Sequence, residues 1–473
     1  MTARHFFGFA MTLAIAASCC GQPEETVQWA PAGDKIMTEW AGQVDPANPL
    51  PEYPRPQLVR ADWQNLNGLW DYAVTAKEAR PEAFEGKILV PYAIESALSG
   101  VGRTVTGEET LWYSREFRVP RQWKGKRVML NFGAVDWKAE VYVDGQLAGE
   151  HVGGYDPFSF DITDLLAKGK DHNLTVKVYD QTNLWYQPCG KQIVNPHGIW
   201  YTPVTGIWQT VWMEPVEAAH VESYMAVADL AEGKINVAVE AAGLAEGDVC
   251  KVELYDGQAL VAEAEGAEVE LSVAEPKLWS PDSPFLYDLK VSVVREGKPV
   301  DEVKGYAAMR EISVARDEEG HKRMLLNGEP LFQYGPLDQG WWPDGLYTAP
   351  TDEALAFDIE KTKEFGFNMI RKHVKVEPAR WYWHCDRLGM LVWQDMPSVK
   401  HGDNKWGRHA YDTGTDSQIT QEGKDNYYNE WGQIINDFKV FPSIVVWVPF
   451  NEAWGQFDTD AVVKFTREQD PTR

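Results

Sequence analysis

Polar side chains suited to acid–base chemistry follow several short apolar runs in the second half of the chain. If these runs are parallel strands of a β/α barrel, the polar groups gather at the C-terminal ends of the strands, where such barrels place their chemistry. A carboxylic acid can protonate a glycosidic oxygen, amides and arginine can bind hydroxyls, and indole rings can stack on a pyranose, so the set suits a sugar. The set is Asp338 and Gln339; Arg371 and His373; Gln394 and Asp395; and Asn451, Glu452 and Trp454.

The carboxylates differ in how strongly they suggest catalysis. Glu452 follows an apolar run and comes directly after Asn451, which favours a catalytic acid with an adjacent substrate contact. Asp338 and Asp395 are open to two interpretations, because helix caps and turns also prefer aspartate. We treat both as candidate substrate contacts.

Arginine, histidine and tryptophan complete the candidate site. Arg371 is either an ion-pair partner beneath the site or a ligand contact, and His373 is a candidate contact two residues further on. Trp454, which lies past its strand, is the favoured sugar platform, ahead of the Trp341–Trp342 pair in the first loop. Each of these aromatic residues could instead be packed in the interior.

The elements that must position these residues alternate in type after Met324. Nearly all-apolar short strands between amphipathic helices indicate a parallel sheet buried on both faces. Thr351 is a plausible N-cap for the first helix. The predicted strands are Leu331–Tyr334, Asn368–Arg371, Met390–Trp393 and Ile444–Val448, and the predicted helices are Asp352–Phe365, Glu377–Leu388, Ser417–Lys439 and Thr459–Glu468.

The first half of the chain has a β pattern instead. Alternating and β-branched runs, separated by turn signals such as Asp144-Gly145, predict many short strands. We expect a jelly-roll sandwich over 57–215 and an immunoglobulin-like sandwich over 216–312, preceded by a linker at 21–56. Residues 313–473 would then form about four βα units of a (β/α)8 barrel.

Composition agrees with a multidomain globular protein. The 473 residues suggest about three domains, and 44% hydrophobic with 25% charged residues exclude a disordered chain, a coiled coil and a polytopic membrane protein. The net charge of −26 argues against nucleic acid as a partner, because phosphate backbones require clustered Lys and Arg.

The N-terminus has the pattern of a secretion signal. Residues 1–20 contain a short positive region, an apolar stretch and small residues before Cys19 and Cys20. The stretch also resembles a bacterial lipoprotein box, so we expect export, and either a periplasmic protein or one anchored through lipid on Cys19, with Cys20 as the alternative position. The remaining cysteines, Cys189, Cys250 and Cys385, are far apart and show no metal-binding spacing, which predicts buried free thiols.

Three segments together resemble glycoside hydrolase family 2, the group of β-galactosidases, β-glucuronidases and β-mannosidases. Residues 442–452, ending in Asn451-Glu452, resemble the acid/base motif, and Asn368–Arg371 with 386–393 is similar to the other barrel motif. Here Arg371-Lys-His373-Val stands where the family has Arg-x-x-His-Tyr-Pro. Residues 205–212 resemble the closing strand of the family's sugar-binding-like domain.

The resemblance implies an exo-acting, retaining β-glycosidase that hydrolyses O-glycosidic bonds. Glu452 would be the general acid/base, Asn451 would hold the sugar 2-hydroxyl, and a second Glu on the seventh barrel strand would be the nucleophile. We expect no cofactor and no metal, because the loop Met396–Gly402 offers His401 but no acidic residue. An acidic chain without an obvious basic pocket favours a galactoside. The oligomeric state is left open.

The sequence reaches Arg473 after four predicted βα units. We therefore expect a longer reading frame that supplies the nucleophile, and an incomplete site in the 473 residues alone. The alternative is a non-catalytic, carbohydrate-binding surface lipoprotein with a vestigial barrel. The two hypotheses differ over Glu452, which the enzyme requires and the binding protein does not.

Overall fold

The computed structural model describes residues 29–167, 169, 171–399, 414–417 and 419–473. The predicted signal segment, Cys19 and His401 lie outside these residues. None of the helices that the structure describes combines the length and the apolar character that a membrane crossing requires.

The first part of the described chain is a two-sheet antiparallel sandwich. A six-stranded sheet, in the order β3-β2-β4-β10-β7-β8, faces a four-stranded sheet, β1-β12-β5-β9, and β6 pairs with β11. Side chains of β10 alternate strictly between buried and half-buried, as a strand with one face on the core requires. The strands are β1 (Gln64–Asn65), β2 (Gly68–Ala76), β3 (Gly86–Val90), β4 (Glu109–Phe117), β5 (Arg127–Phe132), β6 (Val135–Asp136), β7 (Lys138–Val143), β8 (Gln146–Val152), β9 (Phe158–Asp161), β10 (His172–Tyr179), β11 (Gly206–Ile207) and β12 (Val211–Val216).

The second sandwich is smaller and has seven strands in the described residues. Three strands, β13-β14-β17, pack against four, β16-β15-β18-β19, and all pairs are antiparallel. This is the layered arrangement expected of an immunoglobulin-like sandwich. The strands are β13 (His220–Asp229), β14 (Lys234–Ala242), β15 (Val249–Asp256), β16 (Ala259–Glu265), β17 (Glu268–Ser272), β18 (Tyr287–Arg295) and β19 (Lys298–Ala307).

The third part begins with a small antiparallel sheet and continues as a parallel sheet with helices. In the described residues the parallel sheet has four strands in sequential order, β23-β24-β25-β26, so it is part of a barrel, as predicted. Its elements are β20 (Ile312–Arg316), β21 (Lys322–Leu326), β22 (Glu329–Pro330), β23 (Leu337–Asp338), α1 (Asp352–Glu364), β24 (Met369–Lys372), α2 (Ala379–Leu388), β25 (Leu391–Asp395), α3 (Gln421–Phe438), β26 (Ile444–Val448) and α4 (Thr459–Gln469).

The register of the parallel sheet decides which side chains can meet. Arg371 of β24 lies opposite Trp393 of β25, and Lys372 lies opposite Gln394. Because side chains alternate across a strand, Asp395 shares the face of Trp393 and Arg371. Gln394 and Lys372 point the other way.

Three predicted boundaries were wrong. Leu331–Tyr334 is not a strand, and the first barrel strand is β23 instead. Pro330 and Pro336 bracket that run and offer no N–H groups to a ladder, so its apolar character alone does not make a strand.

The other two errors concern helix starts. Helix α2 begins at Ala379 rather than at Glu377, because Pro378 holds the N-cap and disfavours helical backbone in the residue before it. Helix α3 begins at Gln421 rather than at Ser417, and the Thr420 side chain caps it by accepting from Gly423 N. The predicted Thr351 cap of α1 is confirmed, since its hydroxyl accepts from Ala354 N.

Candidate active site

Arg371 joins the ends of three barrel strands. Its Nε and Nη2 donate to the two oxygens of Asp395, each at 2.9 Å, and Nη2 also donates to Asn451 Oδ1 at 2.9 Å. The bidentate geometry matches a guanidinium to a carboxylate and fixes both planes. The predicted residues at the ends of β24, β25 and β26 therefore meet in one cluster.

Further donors surround the Asp395 carboxylate. His373 Nδ1 lies 3.2 Å from Asp395 Oδ2, and the Val374 N–H donates to the same oxygen at 3.3 Å. Asp395 is fully buried. A buried carboxylate is stable only when it is paired and hydrogen-bonded, and here both conditions hold.

Glu452 lies on an unusual turn directly after this cluster. Glu452 and Ala453 both have left-handed backbone, with φ of 48° and 64°, and Trp454 N closes the turn on Asn451 O at 2.8 Å. Consecutive non-glycine residues in this region cost free energy and are typical of functional sites. The turn exposes the Glu452 side chain, while Asn451 and Trp454 beside it are buried.

Two donors in this turn have no hydrogen-bond partner in the described structure. They are Asn451 Nδ2 and Trp454 Nε1, and each residue is only 4% exposed. Buried donors are normally satisfied, so unpaired ones next to an exposed carboxylate indicate groups that a ligand can occupy.

A loop of the first sandwich forms one wall of the site. Cys189 N and Gly190 N both donate to Ser398 O, at 3.1 Å, which joins the loop to the chain after β25. The Trp200 ring lies 4.9 Å from that of Trp454, and Trp454 packs edge-on to His373 at 6.2 Å. The site is therefore built from two domains.

The sequence analysis missed two residues of this loop, Lys191 and Trp200. The Lys191 Nζ lies 5.7 Å from the centroid of the Trp454 ring, and Lys191 is 7% exposed. Burial lowers the pKa of Lys191, and the Glu452 carboxylate opposes this shift. Neither residue follows a barrel strand, so the strand-end rule could not find them; the long aromatic segment between β10 and β11 was the available signal.

Asp338 belongs to a different cluster. It accepts from Lys372 Nζ at 2.6 Å and from Gly340 N at 2.8 Å. Burial alone would raise the pKa of Asp338, but the Lys372 ammonium lowers it below its ordinary value. Lys372 also donates to Glu377 at 2.9 Å. The structure thus places Asp338 in an ion network with Lys372, on the face opposite to Arg371.

The remaining candidates lie in packed surroundings. Gln394 Nε2 donates to Lys375 O at 2.7 Å, behind the strand. Trp341 packs against Tyr347 and Tyr201, with ring centroids 4.5 and 4.8 Å apart, and Trp342 packs against Trp40. Gln339 Oε1 is buried without a partner among the described residues.

The described residues include one cluster with three possible metal ligands. Asp317, Glu319 and His321 bring their ligand atoms within 4.8 Å of one another in the turn between β20 and β21. His401 lies outside the described residues, so the expected absence of a metal stays a prediction. Cys189, Cys250 and Cys385 are buried and form no disulfide among the described residues, as predicted.

Comparison with known families identifies the class of protein. The model "Glycosyl hydrolases family 2, sugar binding domain" matches residues 87–213, "Glycosyl hydrolases family 2" matches 212–310, and "Glycosyl hydrolases family 2, TIM barrel domain" matches 322–473. The chain belongs to glycoside hydrolase family 2.

Individual relatives carry two different enzyme names. A β-galactosidase of Thermoanaerobacter pseudethanolicus is 27% identical over 349 residues, covering 69% of this chain and 44% of the relative. A β-glucuronidase of Bacteroides fragilis is 25% identical over 385 residues, covering 76% of this chain and 53% of the relative. The chain thus spans about half the length of these relatives.

Solved structures share the fold. The β-D-glucuronidase of Dictyoglomus thermophilum superposes with a TM-score of 0.73 at 22% identity, over 89% of this chain and 73% of that chain. The β-glucuronidase of Ruminococcus gnavus gives a TM-score of 0.73 at 22% identity, over 88% and 72%.

Proposed function

We propose that the protein acts as an exo-acting, retaining β-glycosidase with Glu452 as its general acid/base. The observation that supports this most strongly is the Arg371–Asp395–Asn451 network, which fixes an amide immediately before an exposed carboxylate. A general acid must reach the glycosidic oxygen, and the left-handed turn presents Glu452 to solvent at the end of β26.

Each neighbouring residue has a proposed role. Glu452 donates a proton to the leaving oxygen and then removes one from water. Asn451 Nδ2, which has no partner among the described residues, donates to a sugar hydroxyl. Trp454 forms a wall of the sugar site, and Arg371 with Asp395 holds Asn451 in place. His373 and Asp338 stay candidate contacts, of which His373 is next to the cluster.

Retaining chemistry also requires a second carboxylate about 5–5.5 Å from the first. Asp395 and Asp338 are unsuited to this role, because Arg371 and Lys372 respectively bind them. We therefore assign the nucleophile to the second Glu that the family resemblance implies, on the seventh strand of a complete barrel.

We propose two finer properties, the sugar and the cellular location. The sequence favours a galactoside, but relatives named β-galactosidase and β-glucuronidase are both similar to the chain.

Residues 1–20 favour export with lipid on Cys19. Metabolic labelling with a radioactive fatty acid tests the anchor, since Cys19→Ser should abolish the label.

The catalytic proposal is tested by replacing Glu452. Glu452→Gln should lower kcat/KM on an unactivated β-glycoside by about 10²–10⁴-fold, the usual value of a general acid. Glu468→Gln is the matched control, because it makes the same change on exposed α4 and should leave kcat/KM unchanged. All of these proteins are made with the complete barrel that carries the proposed nucleophile. Equal activity of the Glu452→Gln variant and the wild type in that form, or no turnover by that wild type, would contradict the proposal.

A second measurement separates general acid catalysis from a structural effect. With Glu452→Ala, added azide should restore turnover of an activated aryl glycoside and yield a β-glycosyl azide, because azide needs no base and the product keeps its configuration. An α-configured product would instead indicate inversion.

A further inference from the structure

Lys375 is a buried lysine whose ammonium group uses all three of its N–H donors. The residue is 1% exposed, and its Nζ donates to Glu377 Oε1 at 2.8 Å. The other two donors reach backbone carbonyls, Gly340 O at 2.6 Å and Tyr347 O at 2.9 Å. An ammonium has three donors and no acceptor, so this one is fully satisfied. Lys375 therefore joins two separate points of one loop to the chain that follows β24.

That loop, residues 339–351, connects β23 to α1 and is called the first barrel loop below. Its centre is a turn closed by two reciprocal backbone hydrogen bonds between Trp342 and Leu346, at 2.7 and 3.0 Å. These bonds hold the turn together but do not attach it to the barrel. The two carbonyls that the lysine binds flank the turn, so one side chain attaches both of its ends. A long connection without regular structure keeps one conformation only through such contacts.

The backbone at Gly340 lies directly against the ion pair. Its φ is +63°, and an added Cβ atom would overlap Glu377 Oε1. Lys372 donates to the same carboxylate oxygen at 2.9 Å and to Asp338 Oδ2 at 2.6 Å. The two lysines and two carboxylates balance in charge, which is what a cluster largely removed from water requires. The first barrel loop thus rests on a neutral, hydrogen-bonded cluster rather than on one flexible side chain.

Trp341 lies between this loop and the loop of the first sandwich. Its ring centroid is 4.5 Å from that of Tyr347, whose carbonyl binds Lys375, and 4.8 Å from that of Tyr201. The Tyr347 hydroxyl also lies 3.1 Å from the Tyr155 hydroxyl of the first sandwich. Aromatic rings at these distances attract one another and have preferred orientations. A displaced Tyr347 would therefore move Trp341 and loosen the contacts with the sandwich.

Tyr201 connects these contacts to the candidate site. It directly follows Trp200, whose ring lies 4.9 Å from that of Trp454. Ile193 N donates to Tyr201 O at 3.0 Å, so the two sides of the sandwich loop are joined at this residue. Trp454 belongs to the turn that carries Glu452. Packed contacts therefore continue from the first barrel loop to the wall beside the proposed acid/base.

We propose that Lys375 is a positioning residue, which fixes the first barrel loop and, through Trp341 and Tyr201, one wall of the sugar site. The inference rests on the proposed function only for the sugar, because the placement of the two loops is a property of the chain itself. The role differs from that of Arg371. Arg371 holds the acid/base turn, whereas Lys375 belongs to the cluster on the opposite face of the sheet and holds the wall.

Hydrogen exchange of the full chain, followed by mass spectrometry, tests the placement without any turnover. In Lys375→Met, amides of residues 340–348 and 190–201 should exchange at least about tenfold faster, because the first barrel loop loses two attachments and opens more often. Amides of β10 should keep their rates within about twofold, since a local opening leaves the sandwich core closed. Unchanged rates in the two loops, or equal acceleration of the loops and β10, would overturn the proposal.

Lys363→Met is the matched control. Lys363 is half-buried and also donates to two backbone carbonyls, Pro281 O at 2.7 Å and Leu388 O, at the C-terminal end of α1. Its loss removes the same kind of contact far from the first barrel loop, so exchange in both loops should stay within about twofold of the wild type. Loop exchange that rises equally in Lys363→Met would show that Lys375 has no specific role.

A glycine variant gives the same test if Lys375→Met does not fold. Gly340→Ala pushes the first barrel loop away from the ion pair and keeps all four charges in place. Gly366→Ala is its control, because Gly366 also has positive φ, +89°, but nothing lies within 4 Å of an added Cβ. We expect faster loop exchange only in Gly340→Ala. Equal loop exchange in the two glycine variants would contradict the proposal.

Kinetics of the complete barrel connects the loop to the sugar. On the aryl β-glycoside that the enzyme hydrolyses, Lys375→Met should raise KM at least about fivefold and leave kcat within about twofold, because a displaced wall weakens the binding of substrate and transition state alike. An unchanged KM would overturn the role at the sugar site. If no β-glycoside is hydrolysed, the proposed function fails, but the exchange rates still decide whether Lys375 holds the loops. The two proposals therefore fail separately.

Discussion

Arg371 and Asp395 form a bidentate pair whose two hydrogen bonds both measure 2.9 Å, and the carboxylate is fully buried. The same guanidinium nitrogen that binds Asp395 Oδ2 also binds Asn451 Oδ1. One arginine thus fixes the ends of β24 and β25 and the turn that carries Glu452. This explains how a residue that does not itself react can determine the geometry of the acid/base group.

Removing this arginine should therefore affect stability strongly. Arg371→Met leaves Asp395 as a buried, partly unpaired anion, and we expect the free energy of unfolding to fall by about 3–5 kcal/mol. Arg127→Met is the control, because its ion pair with Asp161 is half-exposed and should contribute less than about 1 kcal/mol. Urea unfolding followed by tryptophan fluorescence measures both. A loss of under about 1 kcal/mol for Arg371→Met would show that the pair is not a structural anchor.

The cluster was predictable because it depends on local sequence. Apolar runs identify β24, β25 and β26, and parallel strands place their C-terminal ends together. Arg371, Asp395 and Asn451 follow from that rule. The sequence did not predict that Asp338 lies apart from Arg371, because this depends on which face of the sheet each side chain occupies. The sequence pattern also places the first strand several residues too early.

The loop of the first sandwich was not predictable in the same way. Lys191 and Trp200 lie about 250 residues before Trp454 in the chain, and their proximity depends on how two domains pack. Neither local propensity nor periodicity encodes such a contact. The clue was only that a long segment rich in aromatic residues stood between two strands.

The contact between this loop and the barrel predicts a strong effect at Gly190. Its φ is +54°, and an added Cβ would lie 2.3 Å from Val374 O, so Gly190→Ala must displace the loop or the strand end. We expect Gly190→Ala to weaken sugar binding at least about tenfold, equivalent to about 1.4 kcal/mol.

The matched control for this test is Gly198→Ala in the same loop. Gly198 has a similar φ of +61°, but nothing lies within 4 Å of an added Cβ. Both variants carry the cost of left-handed alanine, so the difference between them isolates the contact with Val374. Similar sugar affinities for the two variants, measured by titration calorimetry, would show that the contact does not position the loop.

The second sandwich is joined to the barrel through Asp386. Tyr306 donates to Asp386 Oδ2 at 2.7 Å, and Ser443 N donates to Oδ1 at 2.7 Å. Tyr306→Phe leaves one buried carboxylate oxygen without its donor, so we expect a loss of about 1–3 kcal/mol in the free energy of unfolding.

The same substitution at Tyr255 provides the comparison. Tyr255 is partly exposed and donates to Glu253 within the second sandwich at 3.0 Å, so Tyr255→Phe should cost less than about 1 kcal/mol. Denaturant unfolding of both variants measures the difference. Equal costs would mean that water replaces the Tyr306 hydroxyl at Asp386.

Glu95 makes the stability of the first sandwich depend on pH. Burial raises the pKa of Glu95 to about 8 from its ordinary 4.5, while the Thr205 N–H, 3.0 Å from Oε2, opposes the shift. The folded state therefore holds a proton on Glu95 between pH 4.5 and about 8, where the unfolded state has released it. The contribution of this group is fully present below pH 4.5 and is lost as pH rises towards 8.

Glu95→Gln tests this dependence directly, because glutamine keeps an acceptor for Thr205 N and cannot ionise. We expect the variant to remove a decline of up to about 1.4 kcal/mol per pH unit in the free energy of unfolding across this range. At pH 8 the variant should therefore be more stable than the wild type. Asp437, whose pKa burial also raises to about 8, should leave a residual slope in both proteins. Parallel stability curves for Glu95→Gln and the wild type, measured by urea unfolding from pH 5 to 8, would show that Glu95 is already ionised in the folded state.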